Sequence, residues 1–157
     1  MQRVTLAALS AAVLMACSAS PGGFSTELGT VVRSGRTTEV DLANIHHLQW
    51  DEMFAFGPYS IRERNCQALQ LGWFACQMTL PSSIEEHEYF LVFRQNLKVV
   101  HAEHHWRMNG DFTGNPRPQP ILRASAVFHI KLESNRTPAA QEWFRLEHVQ
   151  PKRPRGD

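Results

Sequence analysis

The sequence predicts an α+β fold, one main helix packed on a mostly antiparallel sheet of four to six strands. Three observations lead there. Apolar residues alternate with polar ones over several short stretches, as in half-buried strands. Residues 89–93, Tyr-Phe-Leu-Val-Phe, form a continuous apolar run, as expected of a central strand covered on both faces. Only residues 60–72 carry the punctuation of a helix with a start and a stop.

Taken in chain order, Val40, Asp41 and Leu42 open the first expected strand. Leu48, Trp50, Phe54 and Phe56 then hold alternate positions, with Glu52 the exception, and predict a half-buried strand ended by Gly57-Pro58. Ser60 with Glu63 three residues on has the spacing of a capping box, so a helix is expected from Ile61 to about Gln70, with Gly72 as its C-terminal stop. Residues 81–86 read as a loop. After the strand 89–93, a tight turn at 94–96 returns residues 97–104 as the hairpin partner. Asn109-Gly110-Asp111 and the Pro-rich 114–120 are expected to form a long surface connection. From Leu122 the alternation is strict through Ala124, Ala126, Phe128, Ile130 and Leu132, which predicts one long strand with one wet face. Residues 142–149 are expected to pair with it antiparallel after a turn at 134–138.

The first sixteen residues have the form of an export signal: Arg3, a mostly apolar stretch from 4 to 15, and small Ala16. The stretch is too short for a spanning helix, which needs about 20 residues. It ends in Leu14-Met15-Ala16-Cys17, which resembles the lipobox of bacterial lipoproteins. That resemblance implies cleavage before Cys17 and acylation of this cysteine, which anchors the chain to a membrane; several acyl chains make such an anchor permanent. Ser18, where retained inner-membrane lipoproteins carry aspartate, implies the outer membrane, on its periplasmic face.

The organisation expected is therefore a signal peptide over 1–16, a lipidated N-terminus and flexible tether over 17–36, one α+β domain over 37–149, and a disordered basic tail over 150–157. The tether rests on the Gly, Ser and Pro content of residues 18–35. With Cys17 lipidated, Cys66 and Cys76 remain as a pair in a compartment that permits disulfides, and a bridge between them is expected.

Composition narrows the function. Hydrophobic residues make up 43% of the chain, which suits a folded domain rather than a disordered one. Removing Arg3 with the signal leaves 15 basic side chains against 15 acidic, so a nucleic-acid partner, which selects a basic excess, is not expected. No GxSxG elbow, HExxH helix, paired carboxylate, CxxC or Gly-rich phosphate loop occurs, so no catalytic residue, cofactor or metal ligand is assigned. Asp51 and Glu52 are adjacent on an expected strand and face opposite ways. Four Trp and nine Phe are read as core. The histidines allow one competing reading, a His-based metal protein or enzyme. It requires at least three of His46, His47, His101, His104, His105 and Asp111 to converge, yet His101 and His105 on one strand would stand about 13 Å apart with His104 on the other face.

The string Trp50-Asp51 … Phe56-Gly57-Pro58-Tyr59-Ser60, with the strand from Tyr89 and the turn 109–112, resembles a group of small uncharacterised bacterial envelope proteins over residues 40–112. That group supplies no activity. Tyr59 is expected to pack over the helix start, the alternative being that its hydroxyl reaches a partner. Together these readings predict a membrane-tethered, non-enzymatic periplasmic domain whose partner is another envelope protein, with an immunity protein against a secreted toxin as the more specific alternative.

Overall fold

The computed structural model describes residues 22–113, 119–133 and 143–149. Its strands form two antiparallel sheets, and its helices pack on the larger one. The larger sheet has the order β4-β3-β2-β5, built from β2 (Glu52–Phe56), β3 (Glu88–Gln95), β4 (Lys98–Trp106) and β5 (Ile121–Leu122). The smaller has the order β1-β6-β7, from β1 (Glu39–Asp41), β6 (Val127–Glu133) and β7 (Trp143–His148). The α+β class holds, with three α-helices among the described residues where one main helix was expected: α1 (Gly23–Arg33), α2 (Arg62–Ala68) and α3 (Trp73–Thr79).

The continuous apolar run on β3 has the meaning expected of it. Every residue from Glu88 to Arg94 is buried, and β3 lies between β2 and β4. Successive side chains of a strand point to opposite faces, so β3 feeds two cores. Tyr89, Leu91 and Phe93 enter the first, with Phe24, Leu28 and Val32 of α1 and with Val40, Phe128 and Leu146 of the smaller sheet. Phe90 and Val92 enter the second, with Phe54 and Phe56 of β2, Cys66 and Leu69 of α2, and Cys76 of α3. The same division explains β2. Its alternation places Phe54 and Phe56 in the second core, whereas Met53 and the preceding Trp50 belong to the first, so neither face is wet.

Helix α1 corrects the expected tether. Its Gly/Ser-rich sequence offers no side-chain cap at Gly22, and an 11-residue helix of this kind is marginal alone. Phe24, Leu28 and Val32, spaced i, i+4 and i+8, form a fully buried stripe. The Phe24 ring lies 4.7 Å from that of Phe93. Tertiary contacts replace the missing cap: the buried Glu103 carboxylate of β4 accepts the Ser25 N–H at 2.6 Å. Further along, Asn109 donates to the Ser25 hydroxyl at 3.0 Å and accepts from Arg33. Among the described residues the folded unit therefore already includes residues 22–36, which were expected to be tether.

The β3–β4 hairpin closes through Asn96 and Leu97, both at positive φ, as the favoured two-residue hairpin turn requires. A bulge at Phe93/Arg94 shifts the register. The strand expected from Leu122 is instead broken. Ile121 and Leu122 pair with β2, a single 3-10 turn at Arg123–Ser125 redirects the chain, and Val127 onward pairs with β1 and β7 in the other sheet. Leu122 and Leu132 are more than half exposed as a result. The antiparallel pairing of β7 with β6 is as expected. Asn109, Gly110 and Asp111, expected on the surface, are buried at the junction between the sheets. The expected signal peptide, Cys17, the expected 134–138 turn and the expected 150–157 tail lie outside the described residues.

Candidate functional site

The helix expected over 61–70 is α2 (Arg62–Ala68), and a second short helix, α3 (Trp73–Thr79), follows it where no helix was expected. Helix α2 begins at Arg62 with no side-chain cap, and Ser60 accepts from the Asn65 amide instead of forming a box with Glu63. It ends at Leu69 because Gln70 takes a positive φ. The Leu71 N–H then reaches the Cys66 carbonyl (2.9 Å) and the Gln70 N–H the Gln67 carbonyl (3.0 Å), the bond pattern that usually carries glycine. Gly72, expected as the stop, precedes α3 as its N-cap. Cys66 and Cys76 are joined by a disulfide, as expected, and it ties α2 to α3. Arg62 adds hydrogen bonds to the Pro81 carbonyl and to Gln77, which brings the start of α2 beside the end of α3. On the inner side Arg94 donates to the Leu69 carbonyl at 2.8 Å, pairs with Glu52 and stacks over Phe54. The helix C-terminus thus faces a buried cation.

Helix α3 is buried only at Cys76. Trp73, Phe74 and Met78 are 78%, 71% and 74% exposed, among the most exposed large apolar side chains of the described residues. At 100° per residue they lie within about 140° of one another, so they share one face, and α3 carries no charge. Ile61 (49% exposed) and Tyr59 (78% exposed) stand just before α2. Tyr59 does not pack over the helix start as expected. It sits at positive φ with its ring in solvent, a backbone conformation costly for an aromatic residue. The aromatic residues read as core are so placed for Trp50, Phe24, Phe54, Phe56, Phe90, Phe93, Phe112 and Phe128, but not for Trp73, Phe74 and Trp106.

A second polar cluster lies at the sheet junction. Gly110, at positive φ, approaches Leu146 so closely that a Cβ would overlap its side chain. This turns Asp111 onto β7, where its N–H reaches the Phe144 carbonyl (2.8 Å) and its own carbonyl accepts from Leu146 (2.7 Å). The Asp111 carboxylate accepts from Tyr89 Oη (2.9 Å), the Thr113 N–H (2.8 Å) and Arg107 (2.7 Å). Burial works to raise its pKa, but the bonds from Arg107 and Thr113 prevail and hold it below the usual carboxylate value. Burial pushes the Tyr89 phenol up to about 12, further from ionisation. His105, fully buried beside Phe112, gives its Nε2 hydrogen to the Gly110 carbonyl (2.7 Å), and burial lowers its pKa to about 4. The Asp111 carboxylate is taken up by Tyr89, Thr113 and Arg107 and clasps the two sheets together, while the buried His105 Nδ1 has no hydrogen-bond partner among the described residues.

The histidines do not converge. His46 pairs with Glu27 (2.8 Å), His101 with Glu103 (2.6 Å) and His104 with Glu88 (2.9 Å), while His105 faces Gly110 and His47 is exposed. Among the described residues no three His, Cys, Asp or Glu side chains are grouped to hold a metal ion, so the arrangement that the metal reading requires is not formed. Asp51 and Glu52 serve the hairpin separately, Asp51 accepting the Asn96 N–H (2.7 Å) and Glu52 pairing with Arg94. No helix among the described residues is long and apolar enough to cross a membrane. No family model matches the chain, and neither a curated protein nor a solved structure matches it significantly.

Proposed function

We propose that this chain is an exported lipoprotein, acylated on Cys17 and held at the periplasmic face of the outer membrane, and that its domain works by binding another envelope protein rather than by catalysis. The observation that carries the binding reading is the uncharged face of α3, where Trp73, Phe74 and Met78 stand in solvent on a helix pinned by a disulfide and by Arg62. Exposed apolar clusters on soluble domains mark interaction sites. Tryptophan dominates the energetics of protein interfaces, and methionine adapts to the shape of a partner. The disulfide and the hydrogen bonds of Arg62 fix the face before binding, so little ordering entropy opposes association.

The test is a photo-crosslinking amino acid placed at Phe74 in the intact, membrane-borne protein. The expected result is one discrete protein adduct that co-purifies stoichiometrically with the unmodified chain and is lost in Trp73→Ala. Adducts confined to lipid, or a partner whose recovery is indifferent to Trp73→Ala, would overturn the proposal. If the captured partner is a toxin delivered by a neighbouring cell, the domain is an immunity protein.

A further inference from the structure

Where α1 begins limits how far the domain can stand from its anchor. Gly22 is fixed against β4, since a Cβ there would overlap the Glu103 carboxylate, and the same carboxylate holds the Ser25 N–H. Counting from the sequence, residues 18–22 are all that separate Cys17 from α1. Fully extended, five residues reach no more than about 18 Å. Roughly 5–8 Å of that is taken up by the headgroup layer on one side of a bilayer. The remainder is about one helix diameter, and it is well under the ~36 Å width expected of a folded unit of this length.

We infer that the domain lies directly on the membrane, with the end of α1 that carries Gly23 against the lipid headgroups. This rests on acylation of Cys17. The residues that surround this end define the contact. The His46 ring faces Gly23 and pairs with Glu27, and exposed His47 follows it. His101 pairs with the Glu103 that receives the helix start. These histidine and glutamate side chains make the surface polar, which suits the headgroup layer rather than the hydrocarbon. Helix α1 packs on the first-core face of the larger sheet and α3 on the second-core face. The anchored end and the Trp73–Met78 face therefore belong to opposite sides of that sheet, and a partner reaches α3 without displacing lipid. Such a partner must itself work at the membrane surface.

The experiment uses the full-length acylated protein in phosphatidylethanolamine–phosphatidylglycerol vesicles containing a headgroup-spin-labelled lipid. Single cysteines, His47→Cys and Phe74→Cys, both at exposed positions, receive a fluorophore; Cys66 and Cys76 are bridged and do not react. Quenching is expected to be several-fold stronger at position 47 than at 74. Inserting a Gly-Ser segment of about 20 residues after Ser18 lengthens the tether to an r.m.s. span of about 27 Å, and quenching at 47 should fall to the level at 74. Equal quenching at both positions, or quenching at 47 that survives the insertion, would overturn the inference. The mass of the N-terminal peptide separates the two failures. An unmodified Cys17 removes the anchoring reading and this inference with it; an acylated Cys17 with equal quenching removes the inference alone.

Discussion

Replacing Phe24 by alanine tests whether α1 belongs to the fold or merely leads up to it. The side chain is fully buried, its ring lies 4.7 Å from Phe93, and Phe93 in turn packs edge-on against Trp50 at 5.5 Å. Truncation leaves a ring-sized void against a β3 strand that neighbouring strands hold in place, so little collapse can fill it. Phe→Ala changes at such sites cost about 3–5 kcal/mol. For a domain of this size each kcal/mol lowers the melting temperature by roughly 3–5 °C, so Phe24→Ala should melt about 10–20 °C below its parent. The measurement is thermal and urea unfolding by circular dichroism, in a mature chain made soluble by Cys17→Ser. The control is Thr30→Ala, at an exposed position of the same helix whose hydroxyl bonds only the Thr26 carbonyl. Its stability should stay within about 0.5 kcal/mol of the parent, as for surface substitutions generally. If Phe24→Ala melts together with Thr30→Ala, α1 contributes nothing to the core and the placement of the domain on the membrane loses its basis.

Two further outcomes are expected. His105 is buried neutral with its pKa lowered from 6.5 to about 4, so the unfolded chain binds a proton that the folded chain refuses between those values. Stability should therefore fall as pH drops from 6.5 toward 4, by about 3 kcal/mol at most, and urea titrations should show a shallower fall for His105→Gln; parallel slopes would refute the assignment. Replacing Cys66 and Cys76 together by serine should cost about 2.5–3 kcal/mol from the freed loop of about 11 residues. Because α3 is otherwise buried so little, crosslinking from position 74 should weaken even where the rest of the domain stays folded, as hydrogen exchange on β3 would report.

How much of this was legible in the chain depends on where each element finds its stability. The β3–β4 hairpin could be read because a strand covered on both faces must be apolar throughout, and residues 89–93 are. Helix α1 could not, because its caps are supplied from a distance by Glu103 and Asn109, and small polar residues conceal the Phe24-Leu28-Val32 stripe. The break between β5 and β6 carries no Gly or Pro, so the alternation from Leu122 runs through it undisturbed. At 109–111 the turn residues were recognised but not their burial, which hydrogen bonds to Tyr89, Arg107 and β7 make tolerable. Of the candidate site, the disulfide pair was readable by cysteine arithmetic. The exposed face of α3 was not, since an aromatic helix reads the same whether a core or a partner covers it.

The shared wall between the two cores has a consequence for how this chain can diverge. Residues 57–84 form one unbroken stretch between β2 and β3, cross-linked within itself, and they meet the rest of the fold mainly on the second-core face, through Phe54, Phe56, Phe90, Val92 and Arg94 with Val99 and Ala102 of β4. So long as those residues and the small Gly57 beside Tyr89 are kept, the stretch can be exchanged for another of similar length without touching α1 or the smaller sheet. The architecture thus behaves as a fixed mount carrying a replaceable head; under the proposed function, recognition can drift quickly while the proposed membrane-facing end stays the same.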